Sequence, residues 1–162
     1  MRCALLLLLL SLCWACEPPL PAEGPEQPFA YSHQLHVQKL AIDCRYCHSR
    51  VSRSAEANLP ALATCMGCHA GIVAERASTE MLRLQSQWEK RQPVAWIKVN
   101  DLPDHVHFHH GRHVGAGVSC ATCHGDVQTM ARVRRTQAFS MAWCLDCHRR
   151  EGAGQDCLVC HK

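Results

Sequence analysis

Ten of the 13 cysteines in this chain of 162 residues fall into five Cys-x-x-Cys-His units: Cys44-Cys47-His48, Cys65-Cys68-His69, Cys120-Cys123-His124, Cys144-Cys147-His148 and Cys157-Cys160-His161. Two thiols at that spacing can reach the two vinyl groups on one porphyrin edge, and the imidazole that follows can swing under the ring to bind iron. Each unit is a c-type haem attachment signature. The pattern therefore predicts five covalently held haems, with those ten cysteines as thioether donors and His48, His69, His124, His148 and His161 as proximal iron ligands. Zinc ribbons also use Cys-x-x-Cys, but they pair two knuckles per metal, and five knuckles each followed by His do not pair off. A disulfide framework would use the cysteines and leave those histidines unexplained.

An iron held by one imidazole leaves its opposite face open, and the group placed there decides between electron transfer and catalysis. Seven of the 12 histidines remain for that role: His33, His36, His105, His107, His109, His110 and His113. His33 and His36, spaced i and i+3, would project from one face of a helical turn toward two haems, and His110 with His113 repeats the arrangement. These four are predicted distal ligands. For the fifth site, His105, His107 and His109 alternate, so they would point the same way in an extended segment and splay apart in a helix. Met141, just before Trp143-Cys144, competes with them, as does Met130, because a thioether is the other common ligand in electron-transfer haems and raises the potential. No catalytic residue is predicted. A reductase acting on nitrite or another oxyanion would need a vacant iron, and all five motifs end in ordinary His.

Positioning these groups falls to very little apolar material: only 27 of the 146 residues after position 16 are Leu, Ile, Val or Phe, which is thin for a self-sufficient core. The fold class that follows is mostly irregular with short α-helices, cored by its haems, with little or no sheet. Phe29, Tyr31, Trp96, Phe108 and Trp143 are expected to pack against the rings. His33-Gln34-Leu35-His36-Val37 precedes Cys44 as His110-Gly111-Arg112-His113-Val114 precedes Cys120, which reveals a duplication. The chain divides into a dihaem module at 29–70, a helical linker at 71–105, a second dihaem module at 106–150 and a fifth haem at 151–162. In the linker, Val73, Ala77, Met81, Leu84 and Trp88 recur at intervals of three and four, predicting a helix from about Ile72 to Arg91.

Arg2 followed by a short apolar stretch reads as a signal peptide over residues 1–16, too short to span a bilayer. It ends in Cys13-Trp14-Ala15-Cys16, which is like a lipobox with Cys13 in the place usually held by Leu, so lipid attachment is expected at Cys16. A Pro-rich tether at 17–28 follows. The expected location is the periplasmic side of a bacterial membrane, held there by lipid. A formal net charge of +3 argues against nucleic acid as a partner. With ionised propionates, five haems would contribute about −5 when oxidised and about −10 when reduced. The loaded protein should therefore favour cationic partners, with Arg45, Arg112, Arg132, Arg134, Arg135, Arg149 and Arg150 available to propionates.

The pairing of Phe-or-Tyr-x-His-x-x-His with a following attachment motif resembles the class III multihaem cytochromes. A closer resemblance rests on four stretches: Ile42-Asp43-Cys44-Arg45-Tyr46-Cys47-His48; Cys65-Met66-Gly67-Cys68-His69; Val94-Ala95-Trp96-Ile97-Lys98-Val99 through Leu102-Pro103-Asp104 to His113; and Met141-Ala142-Trp143-Cys144-Leu145-Asp146-Cys147-His148-Arg149. Together they are similar to the pentahaem cytochrome subunit of bacterial alternative complex III. The resemblance implies an electron wire. Quinol is oxidised in membrane partners, iron-sulfur and integral membrane proteins, and electrons leave through the haems to a soluble cytochrome c or a terminal oxidase. Asn100 departs from the family pattern, which has His there. A free-standing periplasmic or lipid-anchored carrier of the class III type is the alternative.

Overall fold

Attachment motifs, prolines and glycines punctuate most of the chain after residue 16, and the longest helix among the described residues has 11 residues. The computed structural model describes residues 19–72 and 77–161. The predicted signal segment, Cys16 and Val73 lie outside them. Seven α-helices follow in order: α1 Cys44–Cys47, α2 Leu62–His69, α3 Thr79–Glu89, α4 His110–Gly115, α5 Cys120–His124, α6 Met141–Arg150 and α7 Cys157–Cys160. A π-helical turn occupies Gln34–Lys39 and a 3-10 turn Val127–Thr129. The described residues contain no strand, and the architecture is the short-helix, mostly irregular one expected of a multihaem cytochrome.

The linker helix α3 is shorter than its apolar stripe implies. The Ser78 hydroxyl accepts a hydrogen bond from Met81 N–H at 3.2 Å and caps the start. At the other end, Arg91 N–H donates to the Trp88 carbonyl and Gln92 N–H to that of Gln87, both at 3.0 Å, with Arg91 at φ 53°. This is a Schellman termination built on arginine rather than glycine. The helix is fastened to the start of the first module. Glu80 accepts from Ala30 N–H at 3.2 Å, and Arg83 donates to the Pro28 carbonyl at 3.1 Å while lying 5.2 Å from the Phe29 ring centre.

Phe29, Val51, Leu62 and Met66 are the buried apolar side chains among the described residues. Four side chains of this size, each contributing about 1.5–3 kcal/mol, cannot offset the ordering of a chain at about 1–2 kcal/mol per residue. The Pro-rich segment from residue 19 is extended and specifically held. Glu23 pairs with Arg132, and a Cβ added at Gly24 would collide with the Val133 carbonyl. Gln27 exchanges two hydrogen bonds of 2.9 Å with the Ile97 backbone.

The two modules touch closely. Gln34 donates to the Thr129 carbonyl at 2.8 Å, tying the π-turn of the first to the 3-10 turn of the second. Gly111 N–H donates to the Ser54 carbonyl at 3.0 Å, and a Cβ at Gly111 would stand 3.0 Å from Arg53 backbone atoms.

Candidate functional site

Each attachment motif forms or ends a short helix. Asp43 caps α1 by accepting from Arg45 N–H at 2.8 Å, and Ser140 caps α6 through Trp143 N–H at 3.3 Å. In a helical turn, a Cys-x-x-Cys pair lies on one face with the following imidazole beside it. None of the ten motif cysteines is joined to another in a disulfide, and none is fully buried.

Opposite the motif histidines stand the predicted partners. Ring centres are 6.0 Å apart for His36 and His69, 6.3 Å for His110 and His124, and 6.0 Å for His113 and His148. His105 stands 5.6 Å from His161, with the rings 21° from parallel. His33 is buried deeply enough to push its pKa down to about 4, and His48 is the first of the charged neighbours that add to this, ahead of His36. Imidazole–metal bonds of about 2 Å place two trans nitrogens about 4 Å apart, and the ring centres then fall about 6 Å apart. These pairs have that separation.

Several Nδ1 atoms are otherwise engaged, whereas that of His69 is buried without a partner. His48 Nδ1–H faces the Asn58 carbonyl at 2.7 Å, His110 that of Ala55 at 2.7 Å, and His148 that of Gly154 at 2.6 Å. His36 faces the Ser32 carbonyl at 2.9 Å and His113 that of His109 at 3.0 Å, so the i to i−4 bond repeats in both modules. His161 faces the His105 carbonyl at 3.1 Å. A proton fixed on Nδ1 leaves the Nε2 lone pair for a metal. Burial followed by His36 holds His69 below its usual pKa, and burial followed by His110 and then His48 does the same for His124. Both effects favour the neutral imidazole, the form a metal requires.

The duplication is exact in its aromatic support too. Tyr31 meets His33 edge-on at 4.8 Å and stacks on His36 at 4.5 Å, and Phe108 meets His110 edge-on at 4.7 Å and stacks on His113 at 4.4 Å. Burial first, then the Cys47 and Cys65 sulfurs, pushes the Tyr31 hydroxyl up to about 12.

Among the described residues, no group of three or more His, Cys, Asp and Glu could hold a metal ion by itself. Two facing imidazoles suffice only where a macrocycle fills the four in-plane positions, and two free thiols beside one of them are what covalent attachment of that macrocycle uses. The donor set, the ring separations and the sparse apolar core all fit haem c. When bound, haem supplies one-electron chemistry, while the chain orients the imidazoles and shields them.

The chain is similar, with 27% identity over 92% of its length, to the menaquinone reductase multiheme cytochrome c subunit of Nitratidesulfovibrio vulgaris, of which it covers 83%. No family model matches it. Its short helices, with no strand among the described residues, fit a multihaem cytochrome c-type fold. The similarity supports electron transport and c-type haem as its chemistry.

Other predicted residues lie elsewhere. Met141 is 67% exposed at the start of α6. The side chain of Met130 packs over Gly125. His109 is the N-cap residue of α4, its ring Nδ1 buried without a partner, and His107 N–H donates to the Cys160 carbonyl at 2.7 Å. Of the arginines assigned to propionates, Arg45 pairs with Asp43, Arg132 with Glu23 and Arg150 with Asp146. Arg135 donates to the carbonyls of Gln137 and Ala138.

Asn58 escaped the sequence reading, which noted Asn100 only as a departure from the family pattern. Asn58, at φ 62°, accepts from Arg50 N–H at 2.9 Å through its side chain while its carbonyl holds His48. Asparagine ten residues after the motif, in a turn rich in small polar residues, was the available signal, since it tolerates the left-handed region. The Asn100 amide nitrogen lies 3.2 Å from His124 Nδ1, and its oxygen is buried without a partner. With the amide turned, Oδ1 accepts from His124 Nδ1–H, as the carbonyls do at His48, His148 and His161.

Proposed function

We propose that this protein is a five-haem electron relay, exported and anchored by lipid at Cys16, serving a membrane quinone oxidoreductase. The observation that carries this is a second imidazole 5.6–6.3 Å from four of the five motif histidines, His69, His124, His148 and His161. In this reading His48, His69, His124, His148 and His161 are proximal ligands, and His33, His36, His110, His113 and His105 are distal. His105 is preferred to Met141 for the fifth site because its ring faces His161 whereas Met141 faces solvent. Saturated irons leave no position for an oxyanion substrate, so the role is conduction.

The resemblance to the pentahaem subunit of alternative complex III supports quinol as the electron source, with a cytochrome or terminal oxidase as acceptor. A second reading, electrons flowing to menaquinone, is favoured by the relative's name. Five bis-imidazole sites without a thioether also keep potentials low, which suits delivery to a quinone. Affinity purification from membranes tests both. Co-purifying membrane subunits with quinol-dependent haem reduction support the first direction, and haem-dependent quinone reduction supports the second. Recovery of the polypeptide alone in fully redox-active form contradicts both and supports a free-standing carrier.

Ligand identity has its own test. His105→Met should raise the potential of one haem by a sizeable part of the ~0.8 V range that axial ligands command, while Met141→Leu should leave all five unchanged. A redox titration monitored by EPR reads both. Asn100→Asp should lower one haem by roughly 60 mV, a tenfold change for a one-electron couple, because a carboxylate facing Nδ1–H makes His124 more basic. The same titration checks this.

A further inference from the structure

Numbered along the chain, the attachment sites run from the first at Cys44 to the fifth at Cys157. Their neighbours do not follow that numbering. The first and second sites share a turn, since Tyr31 touches both His33 and His36.

The first site also meets the third. His110 backbone N–H and ring Nδ1 both face the Ala55 carbonyl, at 3.2 and 2.7 Å, and Gly111 N–H donates to Ser54. Those carbonyls lie in the loop between His48 and Asn58, so the helix bearing the distal histidines of the third and fourth sites is docked on the first.

The third and fourth sites share α4, where Phe108 touches both His110 and His113. The fourth and fifth sites are joined by a hydrogen bond. The Gly154 carbonyl that receives His148 Nδ1–H belongs to the three-residue lead into Cys157.

We propose that the five sites form one unbranched row in the order second, first, third, fourth, fifth, with Cys65-Cys68-His69 at one end and Cys157-Cys160-His161 at the other. This rests on the five-haem reading. The first dihaem module is thus inserted backwards, and the first site is an internal relay bridging the modules. Electrons enter beside α2 and leave beside α7, or the reverse.

Iron positions in crystals of the fully loaded protein, located by anomalous scattering, test the order directly. The expected nearest-neighbour contacts are second to first, first to third, third to fourth and fourth to fifth. A second-site iron whose nearest neighbour is the third, or any branched set, overturns the proposal. Fewer than five irons overturns the five-haem reading and the order with it. In solution, His36→Met should shift its own haem and one neighbour, whereas His33→Met should shift its own and two. The opposite result refutes the order.

Discussion

Serine in place of both Cys44 and Cys47 is expected to abolish recovery of folded, haem-loaded protein. The reason lies in what fills the interior. The described residues bury four apolar side chains, and whatever else makes the structure cohere must come from the cofactors those cysteines hold. A domain is stable by only about 5–15 kcal/mol, so losing one large apolar ring from such an interior exceeds the margin. The site also bridges both modules, the loop after His48 receiving α4. Met141→Leu, an exposed control, should change stability by less than about 0.5 kcal/mol. Yield of haem-containing protein and its thermal unfolding, compared across the two variants, check this. Normal yield of a stable four-haem double variant would show that side chains suffice.

Gly111→Val is expected to cost about 1–3 kcal/mol and lower the melting temperature by several degrees. A Cβ at this position stands 3.0 Å from the Cα and N of Arg53, and backbone cannot swing aside as a side-chain tip can. Gly111 adjoins His110 and donates to Ser54, so the displacement also loosens the carbonyl that fixes His110. By contrast, Gly115→Val, at a position with nothing nearby, should be felt only as helix propensity. Calorimetry on both loaded variants distinguishes a junction effect from a general one. Equal melting temperatures would refute close module docking through Gly111.

The sequence displayed its chemistry more openly than its geometry. Covalent attachment needs fixed spacing along the chain, so Cys-x-x-Cys-His is visible wherever it occurs. The duplication was equally open, because His33/His36 and His110/His113 must each serve two sites from one turn. Partnership across space has no such spacing. His105 meets His161 from 56 positions away, and three alternating histidines look alike until the fold selects among them. The early end of α3 turned on a Ser78 hydroxyl that the apolar stripe gives no reason to weight. Asn58 and Asn100 act through a backbone carbonyl and one side-chain amide, contacts that hydrophobic periodicity does not encode.

The most direct measurement is the intact mass of the mature polypeptide under denaturing conditions, which retains only covalently attached groups. The account predicts a single species carrying five haems, all ten motif cysteines being consumed as thioethers. A species with fewer haems after normal maturation, or a colourless polypeptide with those thiols free, would contradict it.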